Sequence, residues 1–222
     1  MGMYVKICGL REPAHAALAV ELGADAIGVV MSPRSPRHAS ADDARAVISA
    51  ARSARPDVDT VLVVNSIPAA EAARLALDLG FDVLQLHGSY TADDVASAQA
   101  LLPRVWRATS LTEAPQLYAG ELNEERLLLD GAIPGSGDTW DLSPLGSDSE
   151  LTRRIGPDWL LAGGLSPENV AAAISTARPG GVDVSSGVER SPGQKHPELI
   201  RRFIEAARAQ LAPTDESDIS YE

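Results

Sequence analysis

Short apolar runs recur along the chain, and Ala-rich segments with helical spacing fill the intervals between them. The runs cover residues 4–8, 26–30, 60–64, 83–87, 104–108, 126–130, 159–162 and 182–184. The intervening segments predict helices over 13–22, 41–53, 68–79, 91–101, 113–119, 144–154 and 167–176, with a last one over 197–211. Ser40 and Thr91 stand where N-caps belong, while Pro13, Pro68, Pro167 and Pro197 fall in first turns. Gly23 and Gly80 occupy C-cap positions.

Strands alternating with helices predict an α/β fold with a parallel sheet under helical cover. An open doubly wound sheet and a closed (βα)8 TIM barrel both satisfy that alternation. Eight regular units without a domain break favour the barrel. The first candidate strand also runs into Cys8-Gly9-Leu10-Arg11-Glu12, which lacks the glycine fingerprint of a dinucleotide fold. The expectation is therefore a single-domain (βα)8 barrel over 1–211, followed by a tail over 212–222.

That tail carries Asp215, Glu216, Asp218 and Glu222 without a lysine or arginine, and is expected to be a disordered solubilising segment. The whole chain of 222 residues has 19 Lys and Arg against 31 Asp and Glu, a formal charge of −12. Such a field repels nucleic acid and anionic membrane surfaces, so neither is expected as a partner. An anionic small molecule would have to be held by a local arrangement against the global charge. One cysteine, Cys8, allows no intrachain disulfide. Together with the lack of a signal-type apolar run at the N-terminus, this points to a cytoplasmic protein.

Barrel sites lie at the C-terminal ends of the strands, and side chains alternate along each strand, so the inward faces can be read directly. Tyr4, Lys6 and Cys8 share one face of the first run against Val5 and Ile7. Gln85 and His87 share a face of the fourth, and Arg126, Leu128 and Asp130 a face of the sixth. The apolar faces suit the helix ring, which turns the polar ones into the barrel. Charged groups there need partners or a ligand. A Lys6 ion pair of purely structural purpose is one reading, and polar strand ends gathered into a site is the favoured one.

Cys8 ends the first strand. A small buried core residue is the competing reading, but its place beside Lys6 favours a thiol tuned for proton abstraction, since a nearby ammonium favours the thiolate. Asp130 ends the sixth strand after three leucines and pairs with Cys8 as a candidate acid, provided its pKa is raised. Leu161-Ala162-Gly163-Gly164-Leu165 and Asp183-Val184-Ser185-Ser186-Gly187-Val188-Glu189 follow strands seven and eight, where barrels commonly bind phosphate. The proline-stiffened stretch Ser32-Pro33-Arg34-Ser35-Pro36-Arg37 offers two guanidinium groups for a carboxylate or a second phosphate, or two solvated arginines. The loop 135–141 has the makeup of a mobile cover or of a plain connector. His15, His38 and His196 do not cluster with other ligands, and neither a metal nor a cofactor is inferred.

Taken together, Lys6-Ile7-Cys8-Gly9-Leu10, Ser35-Pro36-Arg37, Gln85-Leu86-His87-Gly88, Leu128-Leu129-Asp130, the stretch 161–170 and the stretch 181–189 resemble the phosphoribosylanthranilate isomerase family, barrel enzymes of tryptophan biosynthesis. The matches run in the family's order from residue 4 to about residue 205. The resemblance implies a cofactor-free Amadori rearrangement of N-(5-phosphoribosyl)anthranilate to the 1-deoxyribulose phosphate. By position it makes Cys8 the base at sugar C2, Asp130 the acid at the ring oxygen, and Arg37 the holder of the anthranilate carboxylate. It assigns the phosphate to Gly163, Gly164, Ser185, Ser186 and Gly187, the substrate's polar middle to Asp183, and the pocket wall to His87. A monomer binding a small phosphorylated substrate is expected. The loop Pro134-Gly135-Ser136-Gly137-Asp138-Thr139-Trp140-Asp141-Leu142 departs from the family, which usually reads Gly-Gly-(Ser/Thr)-Gly-(Lys/Gln)-x-Phe-Asp-Trp there. Another sugar-phosphate isomerase or epimerase, or a non-catalytic or regulatory phosphate-binding barrel, are the alternatives.

Overall fold

In the computed structural model, which describes residues 2–131, 140–146 and 149–209, eight parallel strands close into a barrel in chain order. They are β1 (Tyr4–Ile7), β2 (Ala26–Val30), β3 (Asp59–Val64), β4 (Val83–His87), β5 (Val105–Ser110), β6 (Arg126–Asp130), β7 (Leu160–Leu161) and β8 (Gly181–Val184). The helices around them are α1 (Pro13–Glu21), α2 (Ala41–Ala54), α3 (Ala69–Leu79), α4 (Ala92–Gln99), α5 (Glu150–Ile155), α6 (Val170–Ala177) and α7 (Pro197–Ala209). Closure is made by β1, which pairs with β2 on one side and with β8 on the other.

The strands read as near-continuous apolar runs because both of their faces are covered. Val5, Ile7, Leu127 and Leu129 pack outward in the layer shared with the helices, while Cys8, Val61, Trp106 and Leu128 fill the interior. Few aromatics are available, and two of them, Tyr4 and Trp106, meet at the N-terminal end of the barrel. There Trp106 is fully buried, Tyr4 packs edge-on against it, and the Arg126 guanidinium lies 4.0 Å from the Tyr4 ring centroid and 5.0 Å from that of Trp106. That end is therefore plugged, and the open end is the one where the strands finish.

Local chemistry explains the helix boundaries. Ser40 and Thr91 each form a reciprocal capping box with the aspartate three residues on. Pro13 and Pro197 open α1 and α7, Pro68 is the N-cap of α3, and Gly80 closes α3 in the left-handed conformation. The helix expected over 113–119 does not form, and turns join β5 to β6 instead. Pro115 removes a donor inside that window, and the Ser110 hydroxyl accepts from the Glu113 N–H at 3.2 Å, supporting a turn. The segment expected as a helix over 144–154 is a 3₁₀ turn at Ser143–Leu145 and the short α5. α6 begins at Val170 rather than near Pro167, because Ser166 N–H bonds to Asn169 Oδ1 at 2.8 Å and makes a turn there.

Beyond β8, a 3₁₀ turn at Ser186–Val188 leads into a small hairpin, β9 (Glu189–Ser191) and β10 (Gln194–Lys195). The pattern reading has no strand there, since each arm is too short to show a period. No helix among the described residues is long and apolar enough to cross a membrane. The tail over 212–222 and residues 135–139 of the expected cover lie outside the described residues.

Candidate active site

The register of β1 against β8 places Lys6 opposite Asp183, both facing the interior. Lys6 is fully buried and its ammonium meets Asp183 Oδ1 at 2.9 Å. Burial pulls the lysine's pKa down, but Asp183 and the neighbouring thiol outweigh it, so the group stays above its ordinary range. The Lys6 ion pair exists, and of its two members Asp183 lines a cavity.

Cys8 follows β1 immediately and is 6% exposed. Gly28 on β2 makes room for it: a Cβ there would come within 2.9 Å of Cys8 Sγ and 3.2 Å of Lys6 Nζ. Burial pushes the thiol's pKa up, Lys6 and Lys195 oppose it, and Asp183 adds to the rise. The expectation from Lys6 alone was a shift toward the thiolate. Desolvation outweighs the ammonium, so the thiol is held above its usual range.

Asp130 ends β6, with Oδ1 accepting the Gly131 N–H at 2.8 Å and Oδ2 3.8 Å from His87 Nε2. Burial raises its pKa, helped by Asp183 and opposed by His87, the Gly131 N–H and Lys6. The net rise is the direction that an acid working near neutrality requires. Gly163 backs it in a left-handed conformation (φ +86°), where any Cβ would lie 2.9 Å from Asp130 Oδ1 and 2.5 Å from Gly131 N. Trp140 closes the same corner, its indole N–H donating to Ala162 O at 2.9 Å.

Cys8, Arg37, His87, Asp130, Asp183 and Ser185 line one cavity of about 150 Å³. It shares Asn65 and His87 with a depression of about 620 Å³, and Asn65 and Arg37 with another of about 500 Å³ that includes Ser186. The two glycine-bearing loops meet at its edge. Gly164 is also left-handed, and a Cβ on Gly187 would sit 1.8 Å from Leu165 O, so only glycine permits this approach. The Ser185 hydroxyl is already engaged, donating to Cys8 O at 3.2 Å. Any anion in this cradle would therefore meet main-chain N–H groups rather than that hydroxyl.

The two candidate arginines separate cleanly. Arg34 is exposed, whereas Arg37 is buried at the mouth. Its Nε and Nη2 donate to Glu189 Oε1 and Oε2 at 2.8 and 3.0 Å. Three of its five donors remain for another partner. Sequence reasoning missed Gly28, Asn65 and Lys195, and quoted Glu189 within the stretch after strand eight without giving it a role. A lone glycine inside an apolar strand was the available signal for Gly28.

An α/β barrel in which a carboxyl with a raised pKa and a buried thiol line one small polar cavity has the makeup of an acid–base enzyme. Residues 5–206 match the family described as N-(5'phosphoribosyl)anthranilate (PRA) isomerase. The N-(5'-phosphoribosyl)anthranilate isomerase of Paracoccus denitrificans is 41% identical over 95% of this chain and 100% of that one. The crystal structure of TrpF from Jonesia denitrificans superposes with a TM-score of 0.83 at 49% identity, covering 95% of this chain and 99% of that one. A phosphoribosyl anthranilate isomerase crystallised in complex with reduced 1-(o-carboxyphenylamino)-1-deoxyribulose 5-phosphate gives a TM-score of 0.75 at 32% identity, covering 93% and 99%. The chain belongs to the N-(5'-phosphoribosyl)anthranilate isomerase family, and its activity is that isomerisation, in tryptophan biosynthesis.

Proposed function

We propose that Asp130 and Cys8 carry the two proton transfers of this Amadori rearrangement. The observation that carries the assignment is that both line one cavity, with Asp130 raised above the ordinary carboxylate range. Asp130 gives its proton to the ribose ring oxygen, the C1–O bond breaks, and the nitrogen lone pair forms the C1=N iminium. That cation acidifies C2–H, and the Cys8 thiolate takes the proton to give the enolamine. The enolamine becomes the ketose by gaining a proton at C1 and losing the one on the C2 hydroxyl. Asp130 is left ionised and Cys8 protonated, and exchange with solvent resets them.

The working state is thus carboxylic acid plus thiolate, which holds as many protons as the carboxylate plus thiol it interchanges with. The raised Asp130 and the cations Lys6 and Lys195 beside Cys8 make that minor state reachable. Arg37 holds the anthranilate carboxylate with its remaining donors. Gly163, Gly164, Ser185, Ser186 and Gly187 hold the phosphate through main-chain N–H groups, as phosphate is commonly held after strands seven and eight of a barrel. Asp183 faces the sugar hydroxyls and His87 lines the aromatic side. The bound analogue in the family's crystal complex supports a phosphorylated ligand of this shape. We infer further that the protein is cytoplasmic and acts as a monomer.

The pH dependence of kcat/KM tests the pair. With one proton shared, activity falls on the acid side when both groups are protonated and on the alkaline side when neither is. The acid limb should lie above the ordinary carboxylate value of about 4 and the alkaline limb above the ordinary thiol value of about 8.5. A profile flat across the thiol range would remove Cys8 from the pair.

A further inference from the structure

Lys195 is a buried cation that the proton transfers do not use. It lies on β10, 5% exposed, on a hairpin that comes back to the mouth of the barrel. An ammonium has three donors, and here all three are placed: Ser185 O at 2.8 Å, Ser185 Oγ at 3.2 Å and Glu189 Oε1 at 2.8 Å. No hydrogen is left over for a substrate. What the ammonium touches leads to two working parts of the site, Cys8 and Arg37. The Ser185 hydroxyl passes the connection on by donating to Cys8 O at 3.2 Å. Glu189 is shared with Arg37, whose Nε reaches Oε1 at 2.8 Å and whose Nη2 reaches Oε2 at 3.0 Å. The Gly193 N–H donates to Glu189 Oε2 at 3.1 Å and ties the carboxylate to its own hairpin.

These side chains converge on Gly9, the neighbour of Cys8. A Cβ on Gly9 would lie 2.9 Å from Arg37 Cδ, 2.9 Å from Ser185 Oγ and 3.3 Å from Lys195 Nζ, and its φ of +73° already favours glycine. We propose that Lys195 is a positioning residue of the isomerase, fixing the Ser185 turn to the Cys8 main chain, steadying Glu189 against Arg37, and supplying a second cation beside the Cys8 thiol. The proposal rests on the assignment of Cys8 as the base.

The charged groups facing the thiol are Lys6 on β1, Asp183 on β8 and Lys195 on β10; those facing Lys195 are Glu189, Arg37 and Cys8 itself. Burial draws the Lys195 ammonium below its usual range, and Glu189 and the thiol oppose that. Removing Lys195 takes one positive charge from Cys8 and leaves Glu189 with Arg37 alone. The thiol should then rise further.

Cys8 is the chain's one cysteine, so alkylation by iodoacetamide reports on it alone. The alkylation rate is measured against pH for the wild type, Lys195→Met and Lys195→Arg, each checked for a cooperative melt, with kcat and KM alongside. In Lys195→Met the midpoint should move up by about one pH unit, as loss of a close opposite charge does, and kcat should fall about tenfold or more. Lys195→Arg keeps the charge and should hold the midpoint. An unmoved midpoint in Lys195→Met, or an equal shift in both variants, overturns the proposal. Lys195→Gln, judged by the same criterion, replaces the Met variant if that one does not fold. Alkylation needs no substrate, so a wrong assignment of Cys8 shows separately, as undiminished turnover in Cys8→Ala.

Discussion

A carboxyl group that donates a proton near neutrality must be a poor anion, and burial at the end of β6 makes Asp130 one. A group with a native pKa above its unfolded value holds its proton more tightly when folded. Its contribution to stability is therefore present below the unfolded pKa of about 4 and is lost as pH rises through the native value. Wherever it is ionised, Asp130 opposes folding. Asp130→Asn keeps the shape and removes the charge, so its Tm at pH 7 should exceed that of the wild type, with the gap closing toward pH 4. A lower Tm at pH 7 would mean that the carboxylate is stabilised where it stands. At this scale the sequence was half readable. Position after a strand singled out Cys8 and Asp130, but the sign of the Cys8 shift could not be read, because it depends on a desolvation that only packing fixes. Lys195 was invisible for the same reason: it gains meaning from Glu189 and Ser185, both reached through a hairpin too short to leave a pattern.

At the scale of elements, strands and capped helices were legible because their signals are local. The runs at β2, β4 and β6 fall where the apolar pattern ends them, and the caps at Ser40 and Thr91 follow from chemistry three residues deep. The failures came at the turns replacing a helix between β5 and β6, at the shortened α5, at the late start of α6 and at the β9–β10 hairpin, where local side-chain turns or very short arms override the apolar pattern. The α2 cap gives a direct check. Ser40 Oγ accepts the Asp43 N–H at 3.1 Å, and Asp43 Oδ2 accepts the Ser40 N–H at 3.0 Å. Ser40→Ala should cost about 1 kcal/mol, a fall of about 2–4 °C in Tm for a domain of this size, with kcat unchanged. A drop in kcat at 25 °C would tie this cap to the loop that carries Arg37.

Across the whole molecule, the two ends of the barrel do different work. The end where the strands begin is closed by Trp106, Tyr4 and Arg126, and Arg104 there bridges Asp59 and Glu125 at 2.5 and 2.8 Å. The last helix is fastened near this end through Arg208, which reaches Met3 O, Gly23 O and Asp25 Oδ2 at 2.6, 2.6 and 2.7 Å. The end where the strands finish holds Asp130, Cys8 and the glycine-bearing loops. The large apolar side chains exposed among the described residues are Leu77, Leu101 and Tyr118, on three separate segments. Isolated exposed apolar groups do not make an association surface, so sedimentation equilibrium should return the monomer mass. The mass of a dimer, the state of a relative from Thermotoga maritima, would contradict this.

The central claim is that two side chains lining one cavity move the two protons. Turnover of freshly generated phosphoribosylanthranilate, followed by loss of its anthranilate fluorescence, tests it directly in Cys8→Ala and Asp130→Asn beside the wild type. Each variant should melt cooperatively and lose about a hundredfold or more in kcat. Turnover within a few-fold of the wild type in either folded variant would contradict the account and send the search for that proton's carrier elsewhere in the cavity.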